Sequence, residues 1–224
     1  YLSDLKKLRD YLRLKNIKYN PNQISTDLIR EFLYSQSKKI KSSTQGRLIS
    51  SLNLFFDFMI LEKIIVENPL EKIDYPKIGT SIPTTLTTVE IDLLIAEAGL
   101  NKNNGLRNET IIEVLYSCGL RVSELIDLKI SDLFLDENLI KVLGKGNKER
   151  FVPVSNTAKK LIVEYIESIR NFKKIKKGHE DTLFINNRGQ KLTRVMIYTI
   201  LNNLANHIGL EKKISPHVLR HSFA

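Results

Sequence analysis

The spacing of apolar residues changes twice along this 224-residue chain, and that change constrains the fold more than any other feature. In residues 1–62 apolar side chains recur every three or four positions, which predicts amphipathic helices at 2–14, 26–37 and 43–62. Residues 133–154 instead contain short runs of branched and aromatic side chains, which predict three strands. Helical spacing then returns. The pattern therefore predicts a mainly α protein with a small antiparallel sheet.

A stretch rich in proline, residues 67–85, separates the first three helices from the rest of the chain. It contains Pro69, Pro76 and Pro83, with Gly79 between them, and these residues interrupt regular structure. We therefore expect an N-terminal helical domain at 1–78, a linker at 79–86 and an α+β domain at 87–224. A chain of this length can bury the cores of two domains.

Local signals place the elements of the second domain. Thr87 and Glu90 have the spacing of a capping box, which predicts that a helix starts near residue 88 and runs to about 98. Further helices are predicted at 105–117, after Gly119, at 155–171 and at 193–208. Turns are predicted at 136–138 and at the glycine-flanked Lys145. Residues 183–185 have the composition of a small extra strand.

Composition restricts the function classes. The net charge is +10, and residues 1–83 and 84–224 each carry +5, which favours a polyanionic partner gripped by both parts of the chain. The single cysteine, Cys118, excludes an internal disulfide and is predicted to be packed in a helix. No apolar run has the length of a membrane span, and no histidine or cysteine spacing typical of a metal site occurs.

The segment at 215–223 carries the strongest chemical signal. Ser215 is a good N-cap and Pro216 suits the first helical position, so a helix is predicted to start there. His217 and Arg220, three residues apart, then share one helix face. An imidazole and a guanidinium together can bind a phosphate.

Two further segments have matching chemistry. Arg121 and Glu124 lie one helical turn apart, so the carboxylate can orient the guanidinium, although such a pair is also common as a plain surface ion pair. Lys145 lies on the predicted hairpin turn. Two arginines, a lysine and a histidine can hold and protonate a phosphodiester without a metal or other cofactor.

These motifs resemble those of the tyrosine recombinase (phage integrase) family, and the Xer site-specific recombinases in particular. The matching segments are GLRVSEL at 119–125, GKGNKER at 144–150 and SPHVLRHSFA at 215–224. The resemblance implies an N-terminal helical core-binding domain that contacts DNA and a catalytic α+β domain. It also implies DNA cleavage and rejoining through a 3′-phosphotyrosine, without cofactors.

The resemblance assigns roles residue by residue. Arg121, His217 and Arg220 match the phosphate-binding residues, and Lys145 matches the hairpin lysine that protonates the leaving 5′-oxygen. Lys148 is the alternative acid and otherwise contacts the DNA backbone. Glu124 is expected to brace Arg121. His221 is expected to pack within its helix or to donate a supporting hydrogen bond.

The resemblance also suggests DNA contacts outside the catalytic set. In the N-terminal domain these are Ser43, Thr44 and Arg47, which a solvated helix cap would explain equally well. In the second domain Lys148, Arg150, Thr193 and Arg194 lie at positions similar to those near the DNA backbone in the family.

A later histidine or tryptophan and the tyrosine nucleophile have no counterpart, since Tyr198, the last tyrosine, precedes the His-x-x-Arg segment. We therefore expect a fragment trimmed at both ends, able to bind double-stranded DNA but not to cleave it, and monomeric in solution. The full-length protein is expected to form a homo- or hetero-tetramer on DNA in the bacterial cytoplasm, at the nucleoid. A naturally truncated DNA-binding protein and a mobile-element integrase remain alternatives, with a metal-free phosphodiesterase less favoured.

Overall fold

The computed structural model describes residues 1–17, 20–77, 79, 85–144 and 146–223. The chain divides into two compact units, Tyr1–Ser81 and Ile82–Ala224. Helices with one small antiparallel sheet make up the fold, so the predicted fold class is confirmed. In the part of the chain that the structure describes, no helix is long and apolar enough to cross a membrane.

The first unit is helical. Helix α1 spans Leu2–Leu14, α2 spans Thr26–Ser37 and α3 spans Ser42–Leu61, within one residue of the predicted bounds. Their apolar stripes meet in a core that includes Leu8, Phe32, Leu52 and Phe56. Ser25 caps α2 by accepting a hydrogen bond from the backbone N–H of Leu28 (3.2 Å).

The second unit begins with helices. Helix α4 spans Thr88–Gly99, α5 spans Gly105–Ser117 and α6 spans Val122–Asp127. The predicted capping box is present, because Thr87 Oγ1 accepts from the backbone N–H of Glu90 (3.2 Å) and Glu90 Oε2 accepts from the backbone N–H of Thr87 (2.7 Å). Cys118 at the end of α5 is buried, as predicted.

A meander of strands follows α6. Strands β1 (Leu133–Phe134), β2 (Leu139–Leu143) and β3 (Glu149–Pro153) pair antiparallel in the order β1-β2-β3. Asn138 has a positive φ (54°) in the first turn, a conformation that asparagine tolerates. The register places Val142 opposite Arg150.

The remaining helices complete the unit. Helix α7 spans Asn156–Ser168, α8 spans Arg194–His207 and α9 spans Pro216–Ser222. Ser215 caps α9 and Pro216 occupies its first turn, as predicted. A core cluster packs these helices against α4, α5 and the sheet through residues such as Leu115, Ile140, Phe184 and Leu219.

Two predicted elements differ from the structure. Helix α7 ends at Ser168 and a 3₁₀ turn follows at Arg170–Phe172, because the buried Arg170 side chain donates hydrogen bonds to the carbonyls of Thr182 and Glu180. Residues 183–185 are fully buried but form only isolated bridges at their flanks, Lys129 with Thr182 and Ile185 with Lys191. Burial, with no strand ladder, explains the apolar composition of this segment.

Candidate active site

Glu124 is the centre of the candidate site. Its side chain is 3% exposed. Arg121 is the N-cap of α6, with an extended backbone, and not a helical residue as its spacing suggested. The backbone N–H of Arg121 donates to Oε2 of Glu124 and its Nη1 donates to Oε1, both at 2.8 Å. The Glu124 carboxylate therefore both caps the helix and holds the guanidinium of Arg121.

Arg150 from β3 is the second partner of Glu124. Its Nη1 donates to Oε1 and its Nη2 to Oε2, each at 2.9 Å, which is the forked geometry that arginine forms with carboxylates. Both terminal nitrogens thus face a carboxylate of the same chain, while 38% of the Arg150 side chain is exposed, and its contact with DNA stays a prediction. The strand pairing explains why Arg150 reaches Glu124: Arg150 lies opposite the buried Val142, so both side chains project from the same face of the hairpin.

Arg220, near the C-terminal end of the second unit, lies close to the same carboxylate. Its Nη1 lies 3.9 Å from Oε2 of Glu124 and donates a hydrogen bond to the carbonyl of Gly119. Gly119 follows α5 with φ +56°. Sequence reasoning did not identify this carbonyl as a partner. The fold thus brings Arg121 and Arg220, about 100 residues apart, to one carboxylate.

We call Arg121, Arg150, Arg220 and Glu124 the arginine cluster. Burial acts to raise the pKa of Glu124, but hydrogen bonds from Arg150 and Arg121 outweigh it and lower that pKa to about 2. The carboxylate is therefore ionised at neutral pH. One negative charge faces three positive ones, and Arg121 and Arg220 keep 46% and 34% of their side chains exposed. The cluster has the charge and the open donors needed to bind an anion.

Helix α9 carries the two predicted histidines. His217 is exposed in its first turn, three residues before Arg220. His221 is also exposed, near the end of the helix, so the structure does not support packing inside the unit as its role. Phe223 lies against Gly119, where an added Cβ would be 2.8 Å from Cδ1 of that ring. This contact and the Arg220 bond both fix the end of α9 against the turn after α5.

The β2–β3 hairpin carries the predicted lysine. Lys145 lies outside the described residues, so its role stays a prediction. Around it, Gly144 donates its N–H to the carbonyl of Lys148 (2.8 Å), and Gly146 and Asn147 both have positive φ. Consecutive positive φ values are typical of tight hairpin turns. The side chain of Lys148 is exposed.

The other predicted DNA contacts lie in separate places. Thr193 caps α8 by accepting from the backbone N–H of Met196 (3.2 Å), and Arg194 is exposed beside it. In the first unit, Ser43 is exposed and Thr44 is half-buried in the first turn of α3, whose N-cap is Lys41. Neither side chain is therefore the helix cap.

Arg47 is engaged within the first unit. Its guanidinium donates two hydrogen bonds to the fully buried carboxylate of Asp4, which also accepts from the Ser51 hydroxyl (3.1 Å). Burial acts to raise the pKa of Asp4, and the bonds from Arg47 and Ser51 outweigh it and lower that pKa. About half of the Arg47 side chain is exposed, so the residue still has surface available to a ligand.

Metal ligands do not converge in the part of the chain that the structure describes, since no three His, Cys, Asp or Glu side chains there are grouped as a metal ion would require. The polar chemistry of the candidate site consists instead of guanidinium, carboxylate and imidazole groups. Such a set can bind an anionic oxygen through charge-assisted hydrogen bonds.

Comparison with known proteins identifies the family. The sequence profile of the phage integrase family matches residues 84–224. Tyrosine recombinase XerD of Oceanobacillus iheyensis is 40% identical over the whole chain, which spans 75% of that protein. Tyrosine recombinase XerC of Thermodesulfovibrio yellowstonii is 38% identical, again over the whole chain and 74% of its own length.

Solved structures agree with this assignment. The XerH site-specific recombinase bound to its palindromic difH substrate, in a post-cleavage complex, has a TM-score of 0.80 and 25% identity, covering 98% of this chain and 65% of that one. The XerA recombinase has a TM-score of 0.57 and 29% identity, covering 99% and 74%. The arginine cluster and these similarities lead to one conclusion: the chain belongs to the phage integrase family, as a Xer-like tyrosine site-specific recombinase.

Proposed function

We propose that this chain binds double-stranded DNA and that Arg121 and Arg220 hold the scissile phosphodiester during site-specific strand cleavage and rejoining. The arginine cluster carries this proposal. The side chains of Arg121 and Arg220 are 46% and 34% exposed, and the one carboxylate between them leaves the cluster positively charged. A phosphodiester supplies the missing negative charge, and its non-bridging oxygens match the guanidinium forks.

The chemistry follows from charge development at phosphorus. As a nucleophile attacks, negative charge grows on the non-bridging oxygens, and fixed guanidinium groups stabilise it without reorganising. Glu124 keeps Arg121 and Arg220 in place before the substrate arrives. His217, exposed one turn before Arg220, is assigned to the phosphate or to the proton of the nucleophile.

The rest of the reaction is proposed from family resemblance. A tyrosine hydroxyl attacks phosphorus, the bond to the 5′-oxygen breaks, and Lys145 donates a proton to that oxygen. The product is a 3′-phosphotyrosine. Attack by the 5′-hydroxyl of a second DNA strand reverses the step, so each phosphodiester bond is exchanged and neither hydrolysed nor lost.

We further propose that both units contact DNA, the first as a core-binding domain at 1–78 and the second as the catalytic domain at 87–224. The even charge of the two parts, +5 each, supports this division. Ser43, Thr44 and Arg47 are the proposed contacts of the first unit, and Lys148, Thr193 and Arg194 those of the second. Assembly of four protomers on two DNA sites, at the bacterial nucleoid, belongs to the same proposal.

A trapping experiment tests the function. DNA sites are first selected from a random duplex pool by binding to the full-length protein, and the selected duplex is then nicked beside each candidate cleavage position. We expect a covalent protein–DNA complex that survives denaturing electrophoresis. Arg121→Lys and Arg220→Lys should bind the same duplex but form much less covalent complex, while Lys160→Met on the exposed face of α7 should behave as wild type. Binding without any covalent complex would favour a DNA-binding protein that does not cleave.

A further inference from the structure

The bond between Arg150 and Glu124 joins two parts of the site that the sequence places apart. Arg150 lies on β3, in the hairpin whose turn contains position 145, and Glu124 lies in the first turn of α6 beside Arg121. The two forked hydrogen bonds, 2.9 Å each, connect the strand to the helix across 26 residues. The hairpin is therefore attached to the element that positions Arg121.

The hydrogen-bonding capacity of the three arginines differs. Both terminal nitrogens of Arg150 face Glu124, so its fork is directed at a carboxylate. Arg121 directs one terminal nitrogen to Glu124, and Arg220 directs one to the carbonyl of Gly119. A guanidinium has five N–H donors. Arg150 uses two of them on Glu124, whereas the side chains of Arg121 and Arg220 each use one and keep more donors for a substrate oxygen. Arg150 is in this respect unlike its neighbours.

The position of Arg150 in β3 also directs its side chain toward Glu124. It lies opposite the buried Val142, so its side chain projects from the same face of the hairpin as that core residue. Phe151, the next residue, is exposed on the other face. The alternation directs Arg150 toward α6, and the bidentate contact fixes both the distance and the angle between strand and helix.

We propose that Arg150 is a positioning residue: by binding Glu124 with both terminal nitrogens, it fixes the hairpin relative to Arg121 and Arg220. This inference rests on the proposed function, because its consequence for cleavage requires that the cluster hold the scissile phosphodiester. The direct contact between Arg150 and the DNA backbone that the family resemblance suggests is the competing role, and the experiments below distinguish the two.

Two substitutions separate positioning from charge. Arg150→Lys keeps the positive charge but cannot form the forked contact, and Arg150→Met removes both. If Arg150 positions the hairpin, both variants should cleave bound DNA about 10²-fold more slowly, since small displacements of reacting groups have effects of this size. The dissociation constant of Arg150→Lys for the selected duplex should equal that of the wild type.

A direct DNA contact gives a different result. Loss of one phosphate contact in Arg150→Met would reduce the slope of log affinity against log salt by about 0.9. Arg150→Lys would then bind and cleave as wild type, because lysine also neutralises a phosphate. That pair of outcomes would overturn the proposal. Lys160→Met, which removes one exposed charge from α7, is the matched control for both readouts.

A second measurement keeps the inference independent of cleavage. Hydrogen exchange of the backbone amides at 143–149 should be faster in both Arg150 variants than in wild type, while amides in the buried part of α5 exchange unchanged. Unchanged hairpin exchange would overturn the proposed attachment. If the wild-type protein does not cleave DNA, the proposed function fails, yet the exchange data still decide whether Arg150 holds the hairpin.

Discussion

The carbonyl oxygen of Gly119 accepts a hydrogen bond from the guanidinium of Arg220, a residue 101 positions later in the chain. The same glycine has φ +56° and lies under the ring of Phe223. The turn after α5 thus orients the arginine of the His-x-x-Arg segment directly. Because Arg121 follows two residues later, this turn positions both Arg121 and Arg220.

Replacing Gly119 with alanine should destabilise the second unit and disturb the site. A non-glycine residue in left-handed backbone costs about 1–2 kcal/mol, and the new Cβ would also be 2.8 Å from Cδ1 of Phe223. Gly209→Ala is the matched control, because it has φ +68° but no atom within 4 Å of the added Cβ. Urea unfolding should show a larger loss for Gly119→Ala. Equal losses would mean that the Phe223 contact is unimportant.

The stability contributed by Glu124 should depend on pH. Its pKa falls from 4.5 to about 2 on folding, so the contribution is complete above pH 4.5 and is lost as pH falls toward 2. That shift corresponds to about 3 kcal/mol at neutral pH. Urea unfolding should therefore show Glu124→Gln less stable than wild type at pH 7. Roughly half of this pH-dependent contribution to the free energy of unfolding should remain at pH 3.

The exposed turn residue Glu137 provides the control for this experiment. Glu137→Gln should change the free energy of unfolding little at either pH, because the carboxylate lies in solvent. A difference between wild type and Glu124→Gln that stays constant from pH 7 to pH 3 would contradict the assignment of Glu124 as the ionised centre of the cluster.

Thr87→Ala should destabilise the second unit by about 1 kcal/mol, the usual effect of losing an N-cap side chain. Thr87 Oγ1 accepts from the backbone N–H of Glu90, and Glu90 in turn forms an ion pair with Lys212 (2.8 Å). Thr88→Ala makes the same change one residue later, at an exposed position inside the helix, and should be nearly neutral. Thermal or urea unfolding of the two variants distinguishes the cap from general helix propensity.

The thiol of Cys118 should be unreactive in the folded protein. Burial raises its pKa to about 11, so almost no thiolate is present at neutral pH. Because the chain contains one cysteine, labelling with a chromogenic disulfide reports on this residue alone. Labelling should be slow in buffer and fast in concentrated urea. Rapid labelling of the folded protein would show that the end of α5 opens readily.

Arg194→Met should weaken DNA binding equally for different duplex sequences. Its exposed side chain at the start of α8 fits a phosphate contact, which contributes affinity without sequence information. Fluorescence anisotropy at several salt concentrations should show a slope reduced by about 0.9. A slope identical to that of Lys160→Met would remove Arg194 from the proposed interface.

Local signals in the sequence were sufficient for most elements. Thr87 with Glu90 predicted the start of α4, and Ser215 with Pro216 predicted the start of α9, because caps act within three residues. The segment at 183–185 was ambiguous, since burial and strand formation favour the same apolar residues. Its structure depends on contacts with Arg170 and the loop after α6, which lie outside any local window.

The amino-acid sequence by itself determined the alternation of helices and strands, the family, and the residue types available for phosphate chemistry. Only the tertiary structure decided how those residues pair. Arg150 and Arg121 bind one carboxylate, Arg220 binds the Gly119 carbonyl, and Arg47 binds the buried Asp4. The physical reason is that secondary structure reflects local sterics and spacing, whereas an ion pair depends on which distant side chains the fold places within about 3 Å of each other.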